Sequence, residues 1–447
     1  MKENNRNQQS VKKNDLRKIA LQLLESYEAE ERYVNLLLSS PRFNGLSSEE
    51  KTQLTALLYT TVKKKLTYDY FIGAISKRSI DSIDGRVRNI LRLGLCQILH
   101  MSAIPDFAAV NETVKLASNG GERSFINGVL RAAVRCKDNM PYPPKEKNPL
   151  RYLSVKYSMP LGIVKHFNSL YGESDTEALL EAVSAEKRLS LTVNTLKTDR
   201  NSLMERLADY IPVASSYTDN GIILGGKASP TKLSGFNNGE IFVQDEASRI
   251  ATEVLGADLG MTVVDVCSAP GGKAFGAAIK VGKSGCVYAF DIHESKLSLI
   301  ESGAERLSLD NIKISCRDAT KPDAELFGKV DRVICDVPCS GLGVLSKKPD
   351  LRYKDLSSLE ELPELQYSIL KASVKYLKTG GYLVYSTCTL NPLENEEVTD
   401  RFIREHQEYT YEKINIGKIS SETGKITLLP HIHGTDGFFV ALIKRIG

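Results

Sequence analysis

Two cysteines stand in distinctive local settings, Asp336-Val337-Pro338-Cys339-Ser340-Gly341 and Tyr385-Ser386-Thr387-Cys388-Thr389-Leu390. Each follows a strand-like apolar run. A lone cysteine is usually a small buried hydrophobe, but a partly ionised thiol can form a transient covalent bond. A third segment, Asp265-Val266-Cys267-Ser268-Ala269-Pro270-Gly271-Gly272-Lys273, follows an apolar run and leads into a helical pattern. Its small residues let the backbone come close to a ligand, and the helix start offers free N–H groups. Taken alone, it also fits a tight turn that binds nothing. It matches neither G-x-G-x-x-G nor G-x-x-x-x-G-K-[ST], so a dinucleotide and a nucleoside triphosphate are both disfavoured.

Carboxylates recur at four successive strand ends: Asp265, Asp291, Asp318 and Asp336. One such residue is ordinarily a helix cap; four in succession describe a cradle for an adenosyl group. Asp291 would accept from ribose hydroxyls, and Asp318 from an adenine amino group. The candidate cofactor residues are therefore Cys267, Ser268, Ala269, Pro270, Gly271, Gly272, Lys273, Asp291, Asp318 and Asp336, with S-adenosyl-L-methionine as the expected cofactor.

A thiol beside such a cradle suits methyl transfer to a carbon that needs activation. Carbon 5 of cytosine is a poor nucleophile. A thiolate adding to carbon 6 puts carbanion-like density on carbon 5, which can take the methyl group. An acid near ring nitrogen 3, for which Asp336 is the candidate, stabilises the adduct. A base must then remove the carbon 5 proton, and a second cysteine suits that step. Cys388, Cys339, Asp336 and Lys273 form the candidate catalytic set; the residues by themselves do not rank the two cysteines. The target base must leave any stack, so a flipped or single-stranded cytosine is expected.

The elements that would position these groups are legible in the hydrophobic pattern. From about Glu240 onward, strand candidates (Thr262–Val266, Val287–Phe290, Ile312–Cys316, Val330–Cys335, Tyr382–Ser386) alternate with helix candidates (Lys273–Ile279, Glu294–Leu307, Leu359–Leu377). This alternation predicts a parallel sheet covered on both faces, with ligands beyond the strands' carboxyl ends. Residues from about Asp15 to Lys137 show helical spacing, as in Ile90, Leu91, Leu93, Leu95, Ile98 and Leu99, with breakers at Pro41, Asn44-Gly45, Gly73, Pro105 and Gly120-Gly121. A Pro-rich stretch from Met140 to Pro149 marks a linker. Leu189 to Asn194 and Gly221 to Leu224 look like strands, and Ser202 to Tyr210 like a helix. The expectation is three domains: an all-helical domain over 1–139, a linker and small α+β domain over 140–240, and an α/β Rossmann-like domain over 241–447.

Bulk properties narrow the classes. No apolar run reaches the roughly 20 residues a membrane span needs, and no secretory leader is evident at the start. The eight cysteines follow no disulfide framework, which fits a reducing cytoplasm. No cluster has zinc spacing, so no metal is expected. The net charge of +4 is too mild to announce nucleic acid. Basic runs occur at Lys2, Arg6, Lys12, Lys13, Arg17 and Lys18, and at Lys63-Lys64-Lys65; a solvated face explains such runs about as well as phosphate contact.

These motifs resemble the RNA cytosine-C5 methyltransferases of the RsmB (Fmu, Sun) type, which modify small-subunit ribosomal RNA. The resemblance covers nearly the whole chain. Phe242-Val243-Gln244-Asp245-Glu246-Ala247-Ser248 matches the entry to the catalytic domain, Cys267 to Lys273 the cofactor loop, Ser386-Thr387-Cys388 the nucleophile motif and Pro338-Cys339 the product-release motif. Asn391-Pro392-Leu393-Glu394-Asn395-Glu396 and Asp436-Gly437-Phe438-Phe439 match as well. Ala109-Val110-Asn111-Glu112 and Phe125 to Arg131 resemble a NusB-like RNA-binding module. The resemblance implies attack by Cys388, release by Cys339, and 16S rRNA, naked or in early small-subunit particles, as partner of a cytoplasmic monomer that uses neither DNA nor membrane. Ser268 and Ala274 stand where the family often has Ala and Thr. Lys347-Lys348-Pro349-Asp350 replaces a segment usually carrying arginines, which keeps charge but loses bidentate geometry. Two readings compete with this one: C5-methylation of tRNA or 23S rRNA, and a catalytically inactive RNA-binding assembly or transcription factor.

Overall fold

The computed structural model describes residues 15–30, 45–186, 188–226, 228–353 and 360–447. Lys2, Arg6, Lys12, Lys13, Pro41, Asn44 and Leu359 lie outside the described residues. The chain gathers into two compact units, Met1–Leu180 and Glu181–Gly447.

The first unit is helical throughout its described residues: α1 (Leu16–Glu30), α2 (Ser48–Lys63), α3 (Lys65–Ser76), α4 (Gly85–His100), α5 (Asp106–Val114), α6 (Gly120–Arg135), α7 (Pro149–Tyr157) and the start of α8 (Leu161–Ser184), which is broken at Gly172. Their starts follow local chemistry. Ser47 and Glu50 form a capping box on α2, Asp84 caps α4 and Asn119 caps α6. The run read as helical, Ile90 to Ile98, forms the buried body of α4. Gly73, expected to break a helix, lies inside α3, where buried Phe71 and Ile72 carry the helix past it.

The second unit opens with a four-stranded antiparallel sheet of β1 (Leu189–Val193), β2 (Pro212–Ala214), β3 (Gly221–Leu224) and β4 (Ile241–Val243), in the order β2-β3-β1-β4, with helix α9 (Arg200–Arg206) between β1 and β2. Of the segment 140–240, expected as a linker and a small α+β domain, the Pro-rich stretch lies in the first unit and the four-stranded sheet in the second. Tyr142 of the Pro-rich stretch packs edge-on against Phe71 at 5.1 Å, and Pro149 opens α7. The small sheet is stitched to the helix that follows it by Arg249, which is buried and donates to the Leu191 carbonyl (3.0 Å) and the Thr218 hydroxyl (2.7 Å).

The main sheet follows. Its elements are α10 (Glu246–Val254), β5 (Thr262–Asp265), α11 (Gly272–Val281), β6 (Cys286–Asp291), α12 (Glu294–Leu307), β7 (Ile312–Cys316), β8 (Val330–Asp336), α13 (Leu362–Ser373), β9 (Leu377–Thr387), α14 (Glu396–Glu405), β10 (Tyr409–Tyr411), the hairpin β11 (Ile414–Ile416) and β12 (Ile419–Ser421), β13 (Lys425–Leu428), α15 (Pro430–His433) and β14 (Phe438–Arg445). The strand order is β10-β14-β9-β8-β5-β6-β7, with β13 paired to β14. Strands β5 to β9 are parallel, as expected. The wholly parallel expectation is corrected at the other edge, where β14 runs antiparallel to β9, and β10 and β13 run antiparallel to β14. Two apolar clusters cover the faces, one built on α10, α11 and α12 and the other on α13 and α14. The chain reverses its direction of travel across the sheet between β5 and β8, and such a switch point is where doubly wound sheets bind ligands.

Candidate active site

Every chemistry-bearing motif lies at or just beyond a carboxyl end of β5 to β9. Asp265 ends β5, Asp291 ends β6, Asp318 follows β7 by two residues, Asp336 ends β8, and Cys388 directly follows β9.

After β5 the chain makes a tight turn into α11. Ser268 N–H donates to the Phe290 carbonyl (2.8 Å), and Gly271 N–H to the Ser268 carbonyl (2.7 Å). The Ala269–Pro270 peptide is cis. Gly271 has φ 111°, and a Cβ there would sit 2.4 Å from the Phe275 ring, so the turn requires glycine. Asp291 holds the loop in place, accepting from Ala269 N–H (3.1 Å) and His293 N–H (2.9 Å). No side chain caps α11, which leaves its first-turn amides available to a ligand carboxylate. Asp265 Oδ1 and Ser268 Oγ lie buried without a well-formed hydrogen bond. Burial pushes the Asp265 carboxyl up to about 7, with Asp336 adding to the rise and Lys273 opposing it. Burial likewise pushes the Cys267 thiol well up. Uncapped amides, unsatisfied acceptors and a glycine-demanding turn fit a polar, amine-bearing cofactor. Ile292, 59% exposed directly after Asp291, adds apolar surface beside that carboxylate. Asp318 differs from the others: Thr320 N–H (3.0 Å) and hydroxyl (2.7 Å) occupy one of its oxygens, and Lys321 pairs with the other at 3.2 Å.

The thiols meet on the other side of the switch point. Cys339 Sγ and Cys388 Sγ are 3.2 Å apart, and both are free cysteines. Beside them, Lys273 Nζ reaches Asp336 Oδ2 at 2.7 Å, and Ser386 Oγ donates to Asp336 Oδ1 at 2.6 Å. Lys273 also stands 5.2 Å from the centre of the Phe438 ring. The two thiols are driven apart in acidity. The hydrogen bond from Cys339 lowers Cys388, with Lys348 and Lys273 assisting against burial and Asp336. Cys339 is pushed well above the usual thiol range by that same bond, by burial, and by the negative charge of Cys388 and Glu394.

Several residues in this assembly carried no assigned role in the sequence reading. Fully buried Glu394 accepts from Ser340 N–H (2.8 Å), Gln366 Nε2 (3.0 Å) and Asn391 Nδ2 (3.0 Å). Gln366 Nε2 also donates to the Pro338 carbonyl at 2.9 Å. Ser340 and Thr389 hydroxyls bond at 2.6 Å, tying the two cysteine loops together. Asn395 accepts from Thr387 Oγ1 (2.5 Å) and donates to the Thr389 carbonyl (3.1 Å). The only signal for this brace was a cluster of amide and acid side chains, Asn391 to Glu396, just after the nucleophile motif.

Two family models match the chain: one described as 16S rRNA methyltransferase RsmB/F, over residues 253–444, and that of the NusB family, over residues 14–135. A Bacillus subtilis (strain 168) protein described as a probable ribosomal RNA small subunit methyltransferase B is 35% identical, covering 98% of this chain and 100% of its own length. The chain belongs to the RsmB/F methyltransferase family. A second RsmB/F relative of the same description, from Synechocystis sp. (strain ATCC 27184 / PCC 6803 / Kazusa), is also 35% identical, over 96% of this chain and 99% of its own. Among solved structures, PH0851 superposes with a TM-score of 0.77 at 25% identity, covering 97% of this chain and 99% of its own. The helical first unit thus carries the NusB module, and the main sheet is the RsmB/F methyltransferase fold. No helix among the described residues is long and apolar enough to cross a membrane.

Proposed function

We propose that the protein transfers the methyl group of S-adenosyl-L-methionine to carbon 5 of a cytosine in small-subunit ribosomal RNA, through a covalent bond to Cys388. The observation that carries this reading is the Cys339–Cys388 contact at 3.2 Å beside the Lys273–Asp336 pair. Family membership supports the substrate class. The β5–α11 loop, with Asp291 behind it, holds the cofactor.

Cys388, the more acidic thiol, adds to carbon 6 of the ring. Asp336 accepts from Ser386 on one oxygen and from Lys273 on the other, so neither oxygen is placed to donate to the ring. The acid function is therefore better given to the pair, with Lys273 the proton source for ring nitrogen 3 and Asp336 holding the resulting N–H. S-adenosyl-L-methionine bound at the β5–α11 loop would supply the methyl group to carbon 5, with S-adenosylhomocysteine as its leaving product. With Cys388 bonded to carbon 6 its negative charge is gone, and Cys339 passes its proton to the Lys273 amine left neutral by protonating ring nitrogen 3. The Cys339 thiolate, of high proton affinity, then removes the carbon 5 proton. The carbon–sulfur bond breaks to free the Cys388 thiolate, and ring nitrogen 3 releases its proton to solvent.

The test is a pair of substitutions assayed on small-subunit rRNA with labelled cofactor. Cys388→Ala abolishes turnover and gives no protein–RNA adduct on denaturing gels. Cys339→Ala methylates but accumulates the adduct. An adduct that persists without Cys388 and vanishes without Cys339 reverses the two roles. Bisulfite sequencing of rRNA from a deletion strain identifies the nucleotide.

A further inference from the structure

Two thiols 3.2 Å apart can share one proton, and either sulfur could then carry the negative charge. A cysteine pair that ionised on the Pro338-Cys339 side would present the wrong nucleophile. The surroundings of the pair are not symmetric. Lys273 and Lys348 act on Cys388. On the side of Cys339 lies Glu394, 0% exposed, whose three side-chain contacts are all to donors: Ser340 N–H, Gln366 Nε2 and Asn391 Nδ2. A carboxyl group accepting on both oxygens from three donors has no acceptor beside it for a proton of its own. It also occupies the Ser340 amide, the backbone donor that directly follows Cys339 and could otherwise have stabilised a thiolate there.

We propose that Glu394 is a positioning residue that keeps Cys339 in its S–H form, so that the negative charge of the pair resides on Cys388. This rests on the reading of Cys388 as the nucleophile. It gives a charge-selecting role to a residue whose visible contacts are only with the loop. The other groups facing Cys339 are Cys388 from the loop after β9, Tyr385 from β9, and the Gly341 amide, which alone among them favours a Cys339 thiolate. Low dielectric around buried groups makes such a carboxylate–thiolate repulsion effective.

The test uses the full chain without RNA or cofactor. Alkylation by iodoacetamide is followed from pH 5.5 to 10, with each cysteine resolved by mass spectrometry. In the natural protein Cys388 reacts at lower pH than Cys339. In Glu394→Gln the Cys339 profile moves down by about one pH unit, so that its alkylation near pH 7.5 quickens about tenfold. Glu394→Asp, which keeps the charge, moves it less. Asn391→Ala removes a contact to Glu394 but no charge, and leaves the Cys339 profile in place. The proposal is overturned if Glu394→Gln leaves Cys339 unchanged, or if Asn391→Ala shifts it equally, since loosened packing then accounts for the effect. Should Glu394→Gln not fold, Glu394→Asp decides: drawing the charge back by one methylene lowers the Cys339 profile while Asn391→Ala does not, and an unshifted profile in Glu394→Asp overturns the proposal. Failure of the nucleophile assignment is seen separately, as methylation by Cys388→Ala.

Discussion

At the scale of single residues, the site concentrates charge where water is scarce. Asp265 is fully buried at the switch point, with Lys273 as the opposing positive charge and Asp336 as a like one. Its carboxyl is held at about 7, far above its ordinary 3.8. Folding raises this group, so the protonated form stabilises the fold fully below the ordinary carboxylate range. That contribution is lost as pH rises from about 4 through about 7. A shift of about three pH units corresponds to roughly 4 kcal/mol. Asp265→Asn keeps an acceptor for the loop and removes the ionisation. Its Tm, measured without cofactor, is expected to equal or trail the natural protein's at pH 5 and to exceed it at pH 8.5. A Tm difference independent of pH would mean that Asp265 is not the titrating group. A carboxylate poised in this way at a cofactor loop is stability given up for a site, the usual meaning of a strongly shifted pKa.

At the scale of elements, three backbone segments converge where the thiols meet. Gly343 N–H donates to the Cys388 carbonyl and Gly437 N–H to the Gly343 carbonyl, both at 2.9 Å. A Cβ on Gly343 would lie 1.9 Å from the Gly437 oxygen and 2.9 Å from the Cys388 oxygen, so backbone would have to move. Gly343→Ala is therefore expected to lower kcat by about tenfold to a hundredfold and stability by roughly 1–3 kcal/mol. In contrast, Gly128→Ala on α6, with open space around it, is expected to stabilise by up to about 1 kcal/mol. Steady-state kinetics and thermal melts of the two variants check both outcomes, and equal behaviour would refute the close-approach argument. The same junction shows what sequence could and could not reveal. Strands β5, β6 and β8 were legible because each carries an apolar stretch that ends in Asp, and β7 because Ile312 and Ile314 alternate with Lys313 and Ser315. The pairing of β14 with β9 was not, because Phe438 to Ile443 is buried along its whole length and such a run carries no direction. Strands β10 to β13 span only three or four residues each, too short for period-two alternation to register. Asp318 looked like its three counterparts in spacing, yet Thr320 takes one of its oxygens, a local turn that no strand-end pattern distinguishes. Glu394 was visible only as part of a motif, since its meaning depends on Ser340 and Gln366, which are far from it in sequence.

At the scale of the whole molecule, the net charge of +4 conceals an asymmetry. Residues 1–180 hold 27 Lys and Arg against 19 Asp and Glu, a balance of +8, whereas residues 181–447 hold 32 against 36, a balance of −4. The unit with the chemistry is thus the acidic one, and it carries a site that must receive a polyanion. Its net charge does little to gather RNA, so the phosphate attraction is expected to come from the NusB-family unit, a balance of charge that the following measurements test. The residues proposed to hold the cofactor, on the β5–α11 loop and beside it, all lie within 181–447. A chain cut between Leu180 and Glu181 is therefore expected to keep its affinity for S-adenosyl-L-methionine, measured by calorimetry, within a few-fold of the full chain's. Its affinity for an rRNA fragment is expected to fall by at least about tenfold. Between 50 and 200 mM salt the full chain should lose RNA affinity steeply, along a line in log K against log salt, while the cut chain's line should be shallower, because fewer counterions are displaced. Parallel lines for the two proteins would mean that the catalytic unit makes the phosphate contacts itself. The basic first unit would then be left as a scaffold whose charge is merely solvated.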